Sequence, residues 1–130
     1  MLHYYSLGNG NKIFILHGLF GMADFWMPLA TNLKNLNYNI IIPDLPNHGL
    51  SFHINNYKLE KLSKIIIDFI NSFLINNEKI TIIGHSLGGK IAISIAANIP
   101  TIIDKLIIID IVNKKYTVPT EINNIINVIK

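Results

Sequence analysis

Ser86 stands at the centre of Gly84-His85-Ser86-Leu87-Gly88-Gly89, with a glycine two residues to either side. The apolar run Ile80-Thr81-Ile82-Ile83 precedes it, and the helix-like run Lys90 to Asn98 follows. Strand, sharp turn and helix in that order lift a serine hydroxyl to the carboxyl end of a parallel strand, where it can act as an acylation nucleophile. Both glycines are needed, because so tight a turn brings strand and helix backbones too close for side chains. Gly-x-Ser-x-Gly alone is a modest signal, and its placement between an apolar strand and a helix makes it a strong one.

Acyl transfer also needs hydrogen-bond donors for the developing oxyanion. The Leu87 N–H, directly after the nucleophile, is one candidate. A second falls in the loop His17-Gly18-Leu19-Phe20-Gly21, after the strand Lys12 to Leu16, with Leu19 the first choice and Phe20 the next. Gly18 supplies the small residue that lets this loop approach the serine. The same stretch also fits a phosphate-loop pattern, Gly84-x-x-x-x-Gly89-Lys90, the signature of a nucleotide binder. That rival fails at Ile91, where a metal-ligating hydroxyl is required.

The elements that must position these residues alternate between strand and helix. Leu2 to Leu7 reads as a strand, and Gly8-Asn9-Gly10-Asn11 as a turn into the Lys12 to Leu16 strand. Phe25 to Leu36 has helical spacing, with Pro28 tolerated in its first turn. Asn39 to Ile42 is a strand, and Pro43 to Gly49, with two prolines and a glycine, is a loop. Tyr57 to Leu74 carries a regular apolar stripe and predicts an amphipathic helix over one sheet face. Ile80 to Ile83 predicts a central strand buried on both faces. The helix after Ser86 is apolar almost all round, which predicts a buried central helix. Leu106 to Ile109 is a further strand ending at Asp110, and Glu121 to Ile129 is helix-like. The pattern predicts one α/β domain over residues 1–130, with a mainly parallel sheet, flanking helices and loops gathered at the strands' carboxyl ends.

Four segments together carry a resemblance: HGLFG at His17 to Gly21, DLPNHGLS at Asp44 to Ser51, GHSLGGK at Gly84 to Lys90, and IDKLIIIDI at Ile103 to Ile111. The chain resembles the N-terminal half of an α/β-hydrolase-fold serine esterase, in the small acyl-esterase branch that includes the YbfF-type bacterial esterases and their mitochondrial relatives. The resemblance implies a C-terminally truncated domain, without the cap and the last strands, and a small-molecule acyl ester or thioester as substrate. It also places the triad acid on Asp110. From the residues alone, a carboxylate at the end of the strand beside Ser86 can orient a histidine or cap a loop. Asp44, at a similar strand end, reads as a turn residue.

One departure from the family is plain: no histidine follows Ser86, whereas the family order is Ser, acid, His. His17, His48 and His85 read as packing or hydrogen-bonding residues, and His53 as an exposed loop residue. The missing base leaves a second reading open, a non-catalytic remnant of an α/β hydrolase whose exposed sheet edge favours self-association.

Composition sets the remaining bounds. Half of the 130 residues are hydrophobic, enough for a folded core. All eleven basic residues are lysines, and with the richness in Ile and Asn this reads as an AT-rich genome's signature rather than as chemistry. The lysines are scattered, so the net charge of +3 predicts a solvated surface and no nucleic-acid partner. There is no cysteine, hence no disulfide or thiol catalysis. No run predicts a membrane span, and no basic-then-apolar leader opens the chain, so the expected location is cytoplasmic. The expected chemistry needs neither cofactor nor metal.

Overall fold

A computed structural model describes residues 1–75 and 77–111. The elements in chain order are β1 (Tyr4–Leu7), β2 (Asn11–Leu16), α1 (Met27–Asn35), β3 (Tyr38–Pro43), α2 (Leu59–Asn71), β4 (Ile80–His85), α3 (Leu87–Asn98) and β5 (Ile103–Ile109). A short 3-10 turn, Ala23–Trp26, leads into α1, whose Pro28 lies in the first turn where its missing N–H costs nothing. The helix-like Glu121 to Ile129 segment lies outside the described residues.

The five strands form one sheet in the order β1-β3-β2-β4-β5. β1 runs antiparallel to β3, and the other pairs are parallel. The Gly8 to Asn11 turn therefore does not close a hairpin: β1 passes over to the far edge of β3, and Tyr5 faces Ile42 there. Gly8 takes a positive φ of 88° in this turn.

Strand alternation divides the core into two layers. Phe14, Leu16, Ile41, Ile80 and Ile82 point to one face and pack with Leu62, Ile66, Phe69 and Ile70 of α2 and Ile91, Ala92 and Ile95 of α3. Ile13, Ile15, Ile40, Ile42 and Ile83 point to the other face, against Ala30, Met27 and Leu33 of α1. Helices on both sides explain why β2, β3 and β4 are nearly continuous isoleucine rather than alternating polar and apolar. Edge-to-face contacts among Tyr4, Phe14, Phe69 and Phe73 close the α2 side.

One sequence expectation changes here. α3 is not buried all round: Gly88, Gly89, Ile91, Ala92 and Ile95 are buried, but Ile93 is 46% exposed. β5 is apolar yet largely exposed, with Leu106, Ile107 and Ile109 all open to solvent. Among the described residues β5 lacks the two-sided cover that β4 receives. Among the described residues no helix is long and apolar enough to cross a membrane.

Candidate active site

The carboxyl ends of β2, β3, β4 and β5 bring the candidate residues to one side of the sheet. β4 ends at His85 and α3 begins at Leu87, leaving Ser86 alone as the turn, with φ 51° and ψ −114°. Its backbone is held on both sides: the Ser86 N–H donates to the Ile109 carbonyl at 3.0 Å, and its carbonyl accepts from the Lys90 N–H at 3.1 Å. This geometry leaves no loop between Gly84 and Gly89, which removes the phosphate-cradle reading.

The flanking glycines have specific reasons. A Cβ on Gly84 would lie 2.6 Å from the Gly89 Cα, and one on Gly88 would lie 2.1 Å from the Leu16 carbonyl oxygen. Strand, helix and the end of β2 thus meet backbone to backbone beneath the serine. A Cβ on Gly18 would fall 3.3 Å from the Ser86 Cβ and 2.8 Å from His85 Nδ1, so the 17–21 loop lies directly against the nucleophile turn.

Of the two loop candidates for an oxyanion donor, the structure separates Leu19 from Phe20. The Phe20 N–H already donates to His48 Nε2 at 3.1 Å, because Phe20 turns back at φ 61°. The Leu19 N–H meets no acceptor among the described residues. Leu87 is the first residue of α3, so its N–H has no intrahelical acceptor. The Phe20 N–H is thus taken up by His48, whereas the Leu19 and Leu87 N–H groups meet no acceptor among the described residues.

The histidines sort by their partners. His17 is fully buried, with Nδ1 donating to the Gly18 carbonyl at 2.8 Å and Nε2 accepting from the Leu45 N–H at 2.9 Å. Burial pushes its pKa below 6.5, only partly opposed by the Gly18 carbonyl, so the ring is neutral and tautomerically fixed. His48 donates from Nδ1 to the Pro46 carbonyl and stacks edge-on against His17 at 5.1 Å. Beside it, burial raises the Tyr57 hydroxyl to about 12. His53 is exposed. Both nitrogens of His17 and of His48 are engaged in loop structure, which leaves neither to serve as a base.

Asp44 is more than a turn residue. Its Oδ1 accepts from the Ala23 N–H at 2.8 Å, and its Oδ2 accepts from the Leu50 N–H at 3.0 Å and from His3 Nδ1 at 2.9 Å. Burial alone would raise this carboxyl's pKa, but the Leu50 and Ala23 amides and His3 together hold it below its usual 3.8. Gly49, at φ 51°, is the only residue type that fits: a Cβ there would lie 2.1 Å from Oδ2. Sequence reasoning missed this hub, and Gly49 five residues on was the available signal.

Asp110 follows β5 at φ 52°, and its side chain is 79% exposed. It approaches His85 Nε2 at 3.8 Å, too long for a hydrogen bond. His85, read from sequence as a packing residue, thus lies between Asp110 and the ring of Trp26, whose centroid is 6.0 Å away. It also forms one wall of a cleft of about 390 Å³, lined by His17, Gly18, Leu19, Phe20, Gly21, Phe25, Trp26 and His85.

A sheet of this order, a serine alone at the strand-to-helix turn and open amides beside it define an α/β hydrolase, and residues 11–127 match the α/β hydrolase fold family, to which the chain belongs. Its relatives include esterase YbfF of Escherichia coli, 38% identical over 110 residues that make up 85% of this chain and 42% of YbfF. A Saccharomyces cerevisiae relative named "Probable alcohol acetyltransferase" is 37% identical over 100 residues, 75% of this chain and 29% of that protein. Among solved structures, a marine microorganism esterase superposes with a TM-score of 0.83 at 36% identity, covering 95% of this chain and 47% of its own. The chain thus spans well under half the length of these curated relatives and about half of that solved chain.

Proposed function

We propose that this chain carries the nucleophile half of a serine esterase or thioesterase, in which Ser86 Oγ attacks the carbonyl of a small acyl ester and forms an acyl-enzyme that water then releases. The observation that carries the reading is Ser86 itself, a lone turn residue at φ 51° between β4 and α3 beside the open Leu19 and Leu87 amides. Those amides receive the oxyanion of the tetrahedral intermediate. Asp110 is the acid that orients the catalytic histidine. No described histidine hydrogen-bonds to Asp110, so the general base is not assigned to a residue here. The similarity to esterase YbfF supports ester hydrolysis over other reactions on this fold.

Reaction of the 130-residue protein with a fluorescent fluorophosphonate tests the nucleophile directly. The parent labels and Ser86→Ala does not; equal labelling of both overturns the assignment. The yeast acetyltransferase relative motivates one control: if ethanol diverts the acyl group from water to an ethyl ester, the enzyme is an acyltransferase. The exposed β5 edge supports self-association, which a concentration-dependent sedimentation coefficient would report.

A further inference from the structure

The turn that follows β2 is held by two imidazole rings, one on each of the peptide planes that flank Leu19. Its closing bond runs from the Gly21 N–H to the Gly18 carbonyl at 3.0 Å, and Phe20 turns back at φ 61°, a region that bulky side chains avoid. The Gly18 carbonyl also accepts from His17 Nδ1 at 2.8 Å, so both of its lone pairs are filled. In the next plane the Phe20 N–H donates to His48 Nε2 at 3.1 Å. The two rings meet edge to face, with centroids 5.1 Å apart. His17 is itself seated from its other side: Nε2 accepts from the Leu45 N–H at 2.9 Å, in the loop after β3. An N–H aimed at Nε2 leaves Nδ1 as the protonated nitrogen, and burial keeps the ring neutral.

We propose that His17 is a positioning residue for the oxyanion amide, pinning the Gly18–Leu19 peptide by its carbonyl so that the Leu19 N–H faces the nucleophile turn. This rests on the proposed acylation of Ser86, and adds to it the group that aims the Leu19 donor. The Gly18–Leu19 peptide is trans and planar, so its N–H and C=O point in opposite directions. Fixing the Gly18 oxygen on His17 Nδ1 and on the Gly21 N–H therefore fixes the line of the Leu19 N–H without touching it. Gly18 lies directly against the nucleophile turn, a Cβ there falling 3.3 Å from the Ser86 Cβ, so a tilt of this plane moves the donor relative to the serine. Hydrogen bonds in series also polarise one another, and an Nδ1–H on the carbonyl makes the Leu19 N–H a stronger donor.

Two substitutions separate the two nitrogens. His17→Asn places an amide N–H where Nδ1 stands and gives up the Leu45 contact, whereas His17→Gln places an amide oxygen where Nε2 stands and gives up the Gly18 contact. Each loses one buried hydrogen bond, so a purely structural role lowers the urea midpoint and the labelling rate of both alike. Positioning predicts a split in the kinetics of fluorophosphonate labelling. His17→Gln lowers the limiting rate about ten-fold with the half-saturating concentration unchanged, because the donor is misaimed rather than removed. His17→Asn keeps the parent rate despite its lowered midpoint. A folded His17→Asn that labels as slowly as His17→Gln, or a His17→Gln rate equal to the parent's, overturns the proposal. A second readout needs no acylation: in Ser86→Ala, the Leu19 amide nitrogen resonance moves when His17→Gln is added and holds its place with His17→Asn. The two readings fail separately. A parent protein that does not label removes the nucleophile, and a Leu19 resonance indifferent to His17→Gln removes the positioning role whatever the labelling shows.

Discussion

Asp44 and Asp110 occupy equivalent places, each just past the carboxyl end of a parallel strand, and share almost nothing else. Asp44 is 3% exposed and accepts three hydrogen bonds from three separate parts of the chain. Asp110 is 79% exposed on its side chain, with His85 at 3.8 Å as the facing group. Around Asp44 the loops close on themselves: Ser51 Oγ donates to the Asp44 carbonyl at 2.6 Å and accepts from the His3 N–H at 2.9 Å. Around Asp110 the strand that carries it is open to solvent. The first carboxylate is buried and saturated, whereas the second retains acceptor positions that no described donor fills.

Substitution should break this contrast in a graded way. Asp44→Ala strands the buried Ala23 N–H and the Leu50 N–H together and should cost about 3 kcal/mol, read as a lowered urea midpoint with unchanged slope. Gly49→Ala forces a side chain into the same carboxylate and a positive φ, and should cost about 1–3 kcal/mol. If either variant matches the parent midpoint, Asp44 is not the hub described.

The His17 prediction is one of pH. Its folded pKa lies below the unfolded 6.5, so the unfolded chain takes up the proton first and stability falls as pH drops below about 6.5 toward the folded value. Asp44 adds a second decline of the same sign, beginning near its unfolded 3.8 and complete below its lower folded pKa. Thermal midpoints measured from pH 8 to 3 should show both phases, and His17→Asn should remove the upper one alone. Asp110→Asn, the smallest effect, should leave the midpoint within about 0.5 kcal/mol of the parent. A large loss there would mean that Asp110 holds structure after all.

How much of this was legible beforehand follows from where each signal resides. Ser86 and its glycines were readable because backbone crowding in a tight turn is local, and the residues that relieve it sit two positions away. The two core layers were implicit in Ile13 to Leu16 and Ile40 to Ile42, since alternate strand residues face opposite sides. The place of β1 was not readable: Gly8 to Asn11 has the composition of a hairpin turn, and only the pairing of Tyr5 with Ile42 shows otherwise. Asp44 could not be told from Asp110 either, because its donors come from Ala23, Leu50 and His3, up to 41 residues away. His85 looked like the variable position of a motif, and its nearness to Asp110 depends on how β4 and β5 are registered.

The backbone of Ser86 has a consequence for how this position can drift. A serine held at φ 51° and ψ −114° is less stable there than a glycine, by about 1–3 kcal/mol on the usual cost of such conformers. Mutation toward glycine is therefore downhill in folding energy, while every other described contact of the turn is made by backbone atoms that glycine also has. Stability alone favours glycine at this position, so folding by itself gives no reason for a hydroxyl there.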